Sequence, residues 1–197
     1  MTEPILFTLQ PFAATAQTAA LTICGTAVRV QNVLSLSYAL AGDLSKVAIA
    51  PRSEDCSRRD RLWEKTCFEF FIRKDSTSQA TPYWEFNLSP AGYWNVFSLA
   101  GYRQGLTETA AFTQLPFTVS RSATGLQLNL SVDLSALIDS AKPLCLGISA
   151  VIVMAADKNI LGTQPETVKE TFWAIAHPGP AADFHHPDSF VVKLQPS

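Results

Sequence analysis

Between Thr66 and Arg103 the chain reads TCFEFFIRKDSTSQATPYWEFNLSPAGYWNVFSLAGYR, three runs of alternating side chains with one tight turn among them. The turn is Ser89-Pro90-Ala91-Gly92. Proline fixes φ near −65° and glycine accepts a left-handed backbone, the combination of a type I turn closed by a Gly bulge. If Ser89 faces Tyr93, then Leu88 pairs with Trp94, Phe86 with Val96 and Trp84 with Ser98, all on one face. Strand side chains alternate with period two, so a sheet that buries Trp84, Phe86 and Leu88 turns Tyr83, Glu85, Asn87, Asn95 and Phe97 to its other side. The preceding run repeats the rule, with Phe68, Phe70 and Ile72 inward and Cys67, Glu69 and Phe71 outward. This second face is half polar and half aromatic, and it is expected to look away from the hydrophobic interior.

The same alternation recurs in VLSLSYAL from Val33 and LQLNLSVDL from Leu126, both half-buried antiparallel strands. Further strands are expected over Leu21–Cys24, Val28–Gln31, Lys46–Ala50, Phe117–Arg121, Leu144–Met154, Thr171–Ala174 and Phe190–Leu194. Leu146–Met154 is apolar on both parities, as a central strand covered on each side should be. Twelve prolines and nine glycines punctuate the strands, and Leu134–Ser140 alone reads as helix, about two turns. Short strands without long helical crossovers predict an all-β fold, an antiparallel β-sandwich of two packed sheets with at most one short helix. With 197 residues, 47% of them hydrophobic, residues 1–197 are expected to form one domain with a substantial core.

A net charge of −2 and one diluted basic run at Arg58, Arg59 and Arg61 argue against a nucleic-acid partner. The first residues lack an export signal, and the most apolar run, Leu144–Ala156, is too short to span a bilayer. The expectation is a cytoplasmic protein with no membrane partner. Cys24, Cys56, Cys67 and Cys145 show no CxxC spacing, so buried reduced thiols are expected, with Cys67 accessible if the outward parity is exposed. No GxSxG elbow or glycine-rich phosphate cradle is present.

RLWEKTCFEFFI, YWEFNLSPAGYWNVFSLAGYR and DFHHPDSFVVKL, in that order, resemble the DOMON-like proteins related to the family 9 carbohydrate-binding modules, over about Arg58 to Leu194. The resemblance implies a jelly-roll type of sandwich in a bacterial protein, and binding of a sugar or another small ligand. In those modules two tryptophans clasp the sugar, which points to Trp63 and Trp173 here; the alternative is that both cap the core.

Sugars offer an apolar C–H face to flat aromatics and hydroxyls to carboxylates and amides. The candidate ligand-binding residues are therefore Trp63, Glu69, Glu85, Asn87, Asn95, Tyr102, Arg103, Trp173 and His185, with a saccharide as the leading ligand and no catalytic step. Trp84 and Trp94 read as core. One alternative is a glycan hydrolase using Glu69 and Glu85 as its acid and base, unless Arg61, Arg73 or Arg103 pairs with them. A protein-interaction surface is another. His177, His185 and His186 with Asp183 and Asp188 could ligate a metal, but adjacent histidines on an extended chain point apart, and haem would have to rely on Met154, a core position. No cofactor is expected. Oligomeric state stays open.

Overall fold

The computed structural model describes residues 3–75, 80–155 and 169–196. Among them are twelve strands and one short α-helix: β1 (Ile5–Pro11), α1 (Ala16–Ala19), β2 (Leu21–Val30), β3 (Val33–Gly42), β4 (Cys67–Lys74), β5 (Tyr83–Leu88), β6 (Trp94–Leu99), β7 (Thr107–Glu108), β8 (Phe117–Arg121), β9 (Gly125–Asp133), β10 (Leu144–Met154), β11 (Lys169–Ala174) and β12 (Val192–Leu194). All pairings between them are antiparallel.

The strands run in the order β7-β6-β5-β4-β10-β11-β1-β2-β3-β9-β8 and form one curled sheet. The fold is made at β1. Its first residues pair with β2, from Ile5 opposite Ala27 to Leu9 opposite Ile23, and its last two pair with β11, Pro11 opposite Trp173. One strand thus belongs to both halves, and the halves close on each other as a sandwich. β12 continues the line of β11 along the start of β10.

The core lies between the halves. Phe68, Phe70, Ile72, Phe86, Leu88 and Trp94 meet Leu34, Leu36, Tyr38, Leu40, Leu128 and Leu130, all buried. The Phe70 and Phe86 rings stack at 4.4 Å. Tyr38 reaches across from β3, its ring 5.0 Å from Phe68 and its hydroxyl donating to the backbone carbonyl of Glu69 at 2.7 Å. A core tyrosine needs such a partner, and here the bond fixes the strand that carries the candidate site.

The hairpin has the register its turn dictates: Leu88 opposite Trp94, Phe86 opposite Val96 and Trp84 opposite Ser98. Gly92 has φ +102° and its N–H donates to the Ser89 carbonyl at 2.9 Å. Other expectations are corrected. Leu21–Val30 is one strand, because its ladder with β3 runs unbroken through Gly25. Lys46–Ala50 is no strand; a 3-10 turn at Leu44–Lys46 leaves only the bridge Val47 to Met154. Leu134–Ser140 forms turns, and the one helix is α1, capped by Thr15.

Candidate functional site

The face carrying Glu69, Glu85, Asn87 and Asn95 does point away from the main core, but it is not open to solvent: the four are 2%, 4%, 0% and 0% exposed. The reason is in the same alternation. Phe71, Tyr83, Phe97 and Leu99 share that parity, and so much apolar surface must be covered. A second cluster forms from them with Cys145 and Phe190, and Trp63 and Phe184 pack on it. Cys67, accessible only if this face were open, is buried with the rest, whereas Cys24 and Cys56, expected to be buried, are exposed.

The cover is incomplete, and the gap is a cleft of about 580 Å³. Its sheet-borne lining is Glu69, Glu85, Leu99, Val151, Glu170 and Phe172. Trp63 and Glu64 come from the 3-10 turn Leu62–Glu64, entered through Arg61 in the left-handed region at φ +54°. Ala182, Phe184 and His185 come from the loop before β12, and Arg103 and Leu106 from the loop after β6. Trp63 is half-buried, with one edge on Phe97 at 5.7 Å between ring centroids.

Glu69 stands opposite Asn87 across the β4–β5 ladder, and Glu85 opposite Phe71, so the two carboxylates are diagonal neighbours on one face, a spacing of about 7–8 Å at the backbone. Burial, then the nearby Glu85 charge, pushes the Glu69 carboxyl well above the usual carboxylate range. Burial likewise raises Glu85 to about 7, against the hydrogen bond from Asn87 and the charge of Arg103. Asn87 Nδ2 donates to Glu85 Oε1 at 2.7 Å. Glu69 Oε1 has no hydrogen-bond partner among the described residues.

A brace of side chains holds the loops above the carboxylates. Asp183 accepts from the Tyr102 hydroxyl at 2.5 Å and from Arg103 Nη2 at 2.9 Å; burial would raise its carboxyl, but these bonds outweigh it and hold it below the usual range. The Arg103 backbone N–H donates to the Tyr83 hydroxyl at 3.2 Å. That hydroxyl shares a hydrogen bond of 2.8 Å with His185 Nδ1, and His185 Nε2 lies 3.9 Å from Glu85 Oε2. Burial, then the Arg103 charge, lowers His185 to about 4. The ring is neutral at neutral pH.

Of the residues singled out in the sequence, Trp63, Glu69, Glu85, Arg103 and His185 meet in the cleft. Asn87 lies beside it, orienting Glu85. Tyr102 braces Asp183. Asn95 serves elsewhere: its Oδ1 accepts from Arg58 Nη1 at 2.7 Å and its Nδ2 donates to Glu108 at 2.7 Å. Trp173 is not at the rim. It pairs with Ala150, is 2% exposed and belongs to the main core, donating from Nε1 to Thr171; parity gives the cleft its neighbour Phe172 instead. Arg61 pairs with Glu64 at the edge of the cleft, and Arg73 donates to the Pro187 carbonyl and lies over the Phe190 ring, so neither is the partner of Glu69 or Glu85. His186 Nδ1 accepts from the Asp188 N–H and His177 Nε2 lies 2.8 Å from the Gln10 carbonyl of β1, and no metal-binding group of three or more His, Cys, Asp or Glu side chains occurs among the described residues. No described helix is long and apolar enough to cross a membrane.

Arg58 is the structural cation of this end. Besides Asn95, it donates to the carbonyls of Thr109 and Phe112 at 3.1 and 2.6 Å and lies over the Trp94 ring at 4.5 Å. Replacing it with methionine keeps the stem but takes the donor from the Thr109 and Phe112 carbonyls, while Asn95 Oδ1 still accepts from the Val96 N–H, and should cost about 2 kcal/mol in a urea titration. An unchanged midpoint would show that water replaces these bonds freely.

Glu64, Glu170, Phe172 and Phe184 were not anticipated as lining residues. Adjacent residues on β11 face opposite ways, so choosing Trp173 excluded Phe172, and β10 beside it is apolar on both parities and gives no clue to which side is which. The loop residues carry no periodic signal.

No family model matches the chain, and no curated protein does. Solved structures do. A candidate carbohydrate-binding protein from Bacteroides uniformis aligns over 95% of this chain and 85% of its own, with a TM-score of 0.58 at 15% identity. A family 9 carbohydrate-binding module from Caldicellulosiruptor kristjanssonii, solved with cellotriose and with glucose, aligns over 98% of this chain and 82–83% of its own, with a TM-score of 0.52 at 11% identity. The chain shares their fold. At such identities the likeness carries architecture and does not extend to the side chains of the cleft.

Proposed function

We propose that the cleft binds a saccharide without transforming it. The observation that carries this reading is the meeting, in one cavity of about 580 Å³, of half-buried Trp63 with the buried carboxyls of Glu69 and Glu85. A cavity of that size lies within the range of small-ligand sites. Aromatic surface supplies contact with C–H faces, and Glu69 Oε1, which has no hydrogen-bond partner among the described residues, supplies orientation by accepting from a hydroxyl. The Tyr83–His185 bond and the Asp183 brace preorganise the loops, which reduces the ordering cost of binding. The ligands of the family 9 module that shares the fold, cellotriose and glucose, make neutral hexoses and their oligomers the first compounds to try.

Hydrolysis fits less well. A glycosidase places its two carboxyls on opposite sides of the scissile bond, whereas Glu69 and Glu85 project from adjacent strands of one wall.

A glycan array followed by titration calorimetry tests the reading. Trp63→Ala should weaken the best saccharide about tenfold, the worth of one aromatic stacking contact, and Trp63→Phe, which keeps an aromatic ring against Phe97, should weaken it less. An array and calorimetry without a single saccharide bound at millimolar concentration would remove the proposal.

A further inference from the structure

We infer that the saccharide preferred by this cleft carries a free, protonated amino group, seated between Glu69 and Glu85; this rests on the saccharide reading above and narrows it to hexosamines. The first ground is the charge of the lining. Four carboxyl side chains, Glu64, Glu69, Glu85 and Glu170, line the cleft; Glu64 is paired with Arg61 from outside it, and among the described lining residues Arg103 is the one cation. That guanidinium is already engaged, with Nη2 and Nε at 2.9 and 3.3 Å from the same oxygen of Asp183. His185, buried and held neutral, adds no positive charge. An anionic sugar would enter against these carboxyls, whereas a cationic one would favour their ionisation.

The second ground is independent of charge counting. Glu69 is 2% exposed, faces the cleft, and leaves Oε1 without a hydrogen-bond partner among the described residues. The amide that could serve it, Asn87 across the ladder, donates to Glu85 instead. An acceptor removed from water and left unmet costs free energy that a ligand donor can recover. A hydroxyl can meet it, but brings one proton and no charge. An ammonium brings three donors and a full positive charge, so it can bond both carboxylates at once and offset their mutual repulsion. A sugar amine on the ring carries this group into the cleft while the ring lies against Trp63.

Titration calorimetry of the full chain near neutral pH with glucosamine, glucose and N-acetylglucosamine tests this. Glucosamine should bind about tenfold or more tightly than either of the others, as a charge-assisted bond requires, and Glu69→Gln should bring that ratio to about one. Repeating the titration in two buffers of different ionisation enthalpy should show net proton release with glucosamine alone, as the ammonium displaces the proton held by the carboxyl pair. Glucose binding as tightly as glucosamine to the wild type would overturn the amine inference and leave the saccharide reading standing. Ethanolamine binding as tightly as glucosamine would also overturn it, since the ring would then contribute nothing. No binding of any of the three sugars, nor of any array glycan, would take both down together.

Discussion

Gly25→Ala should lower the stability of this protein by at least about 3 kcal/mol, the upper range for forcing atoms into a packed interior. A Cβ at Gly25 would lie 1.9 Å from the Ser37 carbonyl oxygen, 2.9 Å from its carbon and 2.5 Å from Phe7 Cζ. The Phe7 ring could turn away at some packing cost, but the Ser37 carbonyl is backbone of the neighbouring strand and cannot. Separating the strands there breaks the ladder between Gly25 and Tyr38 and strains the Thr26 contacts to the Ser37 hydroxyl, which lie at 3.1 Å from its N–H and 2.8 Å from its own hydroxyl. The damage should also travel. Tyr38 holds the Glu69 carbonyl from the other half of the sandwich, so a displaced β3 loosens the strand under the cleft. A chain of this size loses roughly 2–4 °C per kcal/mol, so the melting temperature should fall by about 10 °C. Gly125→Ala is the control, because a Cβ there meets nothing nearer than 3.6 Å. Equal melting temperatures for the two variants would mean that β2 and β3 do not approach as described.

Why could the sequence specify the hairpin register and yet misplace the surface? Register follows from local chemistry. Pro90 and Gly92 set the turn, and strict alternation carries the pairing outward through Leu88, Phe86 and Trp84. Which residues share a face follows too, and Glu69, Glu85, Asn87 and Asn95 are together on one. Whether a face meets water does not follow, because it depends on what a distant segment brings to it. The irregular sequence from His177 to Asp188 gives no register against the sheet, and it is this segment that carries His185 over Phe71 and Tyr83 and Phe184 against Phe172. Trp173 takes the alternative reading, a place in the core: the ladder to β10 turns it inward opposite Ala150, and that ladder is a long-range pairing its own sequence does not specify. Glu69 and Glu85 were found because parity is a local property; Glu170 and the aromatic lining from β11 and the loop were missed because their placement is a long-range one.

Glu85→Gln should stabilise the protein at alkaline pH and leave it unchanged in acid, a consequence of keeping an ionisable group in a buried cleft. The folded protein raises Glu85 to about 7 from an ordinary 4.5, chiefly by burial, so between those values the native state binds more protons than the unfolded chain. Stability then falls as pH rises through that window, is fully present below the unfolded value, and is lost once the folded value is passed. Each tenfold difference in proton affinity between the folded and unfolded carboxyl is worth about 1.4 kcal/mol, so the deficit above pH 7 is about 3 kcal/mol. Glutamine removes the titration while still offering Oε1 to the Asn87 amide that now donates to Glu85, and it also removes the charge that helps raise Glu69. His185 contributes the opposite slope, because its depressed value withdraws stability as pH falls from 6.5 toward 4, but that contribution is common to both proteins and cancels in their difference. Urea unfolding of the two proteins between about pH 4 and pH 8.5 should therefore give curves that coincide at the acid end and separate steadily above about pH 5. Parallel curves would show that Glu85 titrates normally and that the cleft is wet. If the curves do separate, the same substitution that stabilises the fold should weaken ligand binding, as is usual where a site holds polar groups that the fold alone does not satisfy.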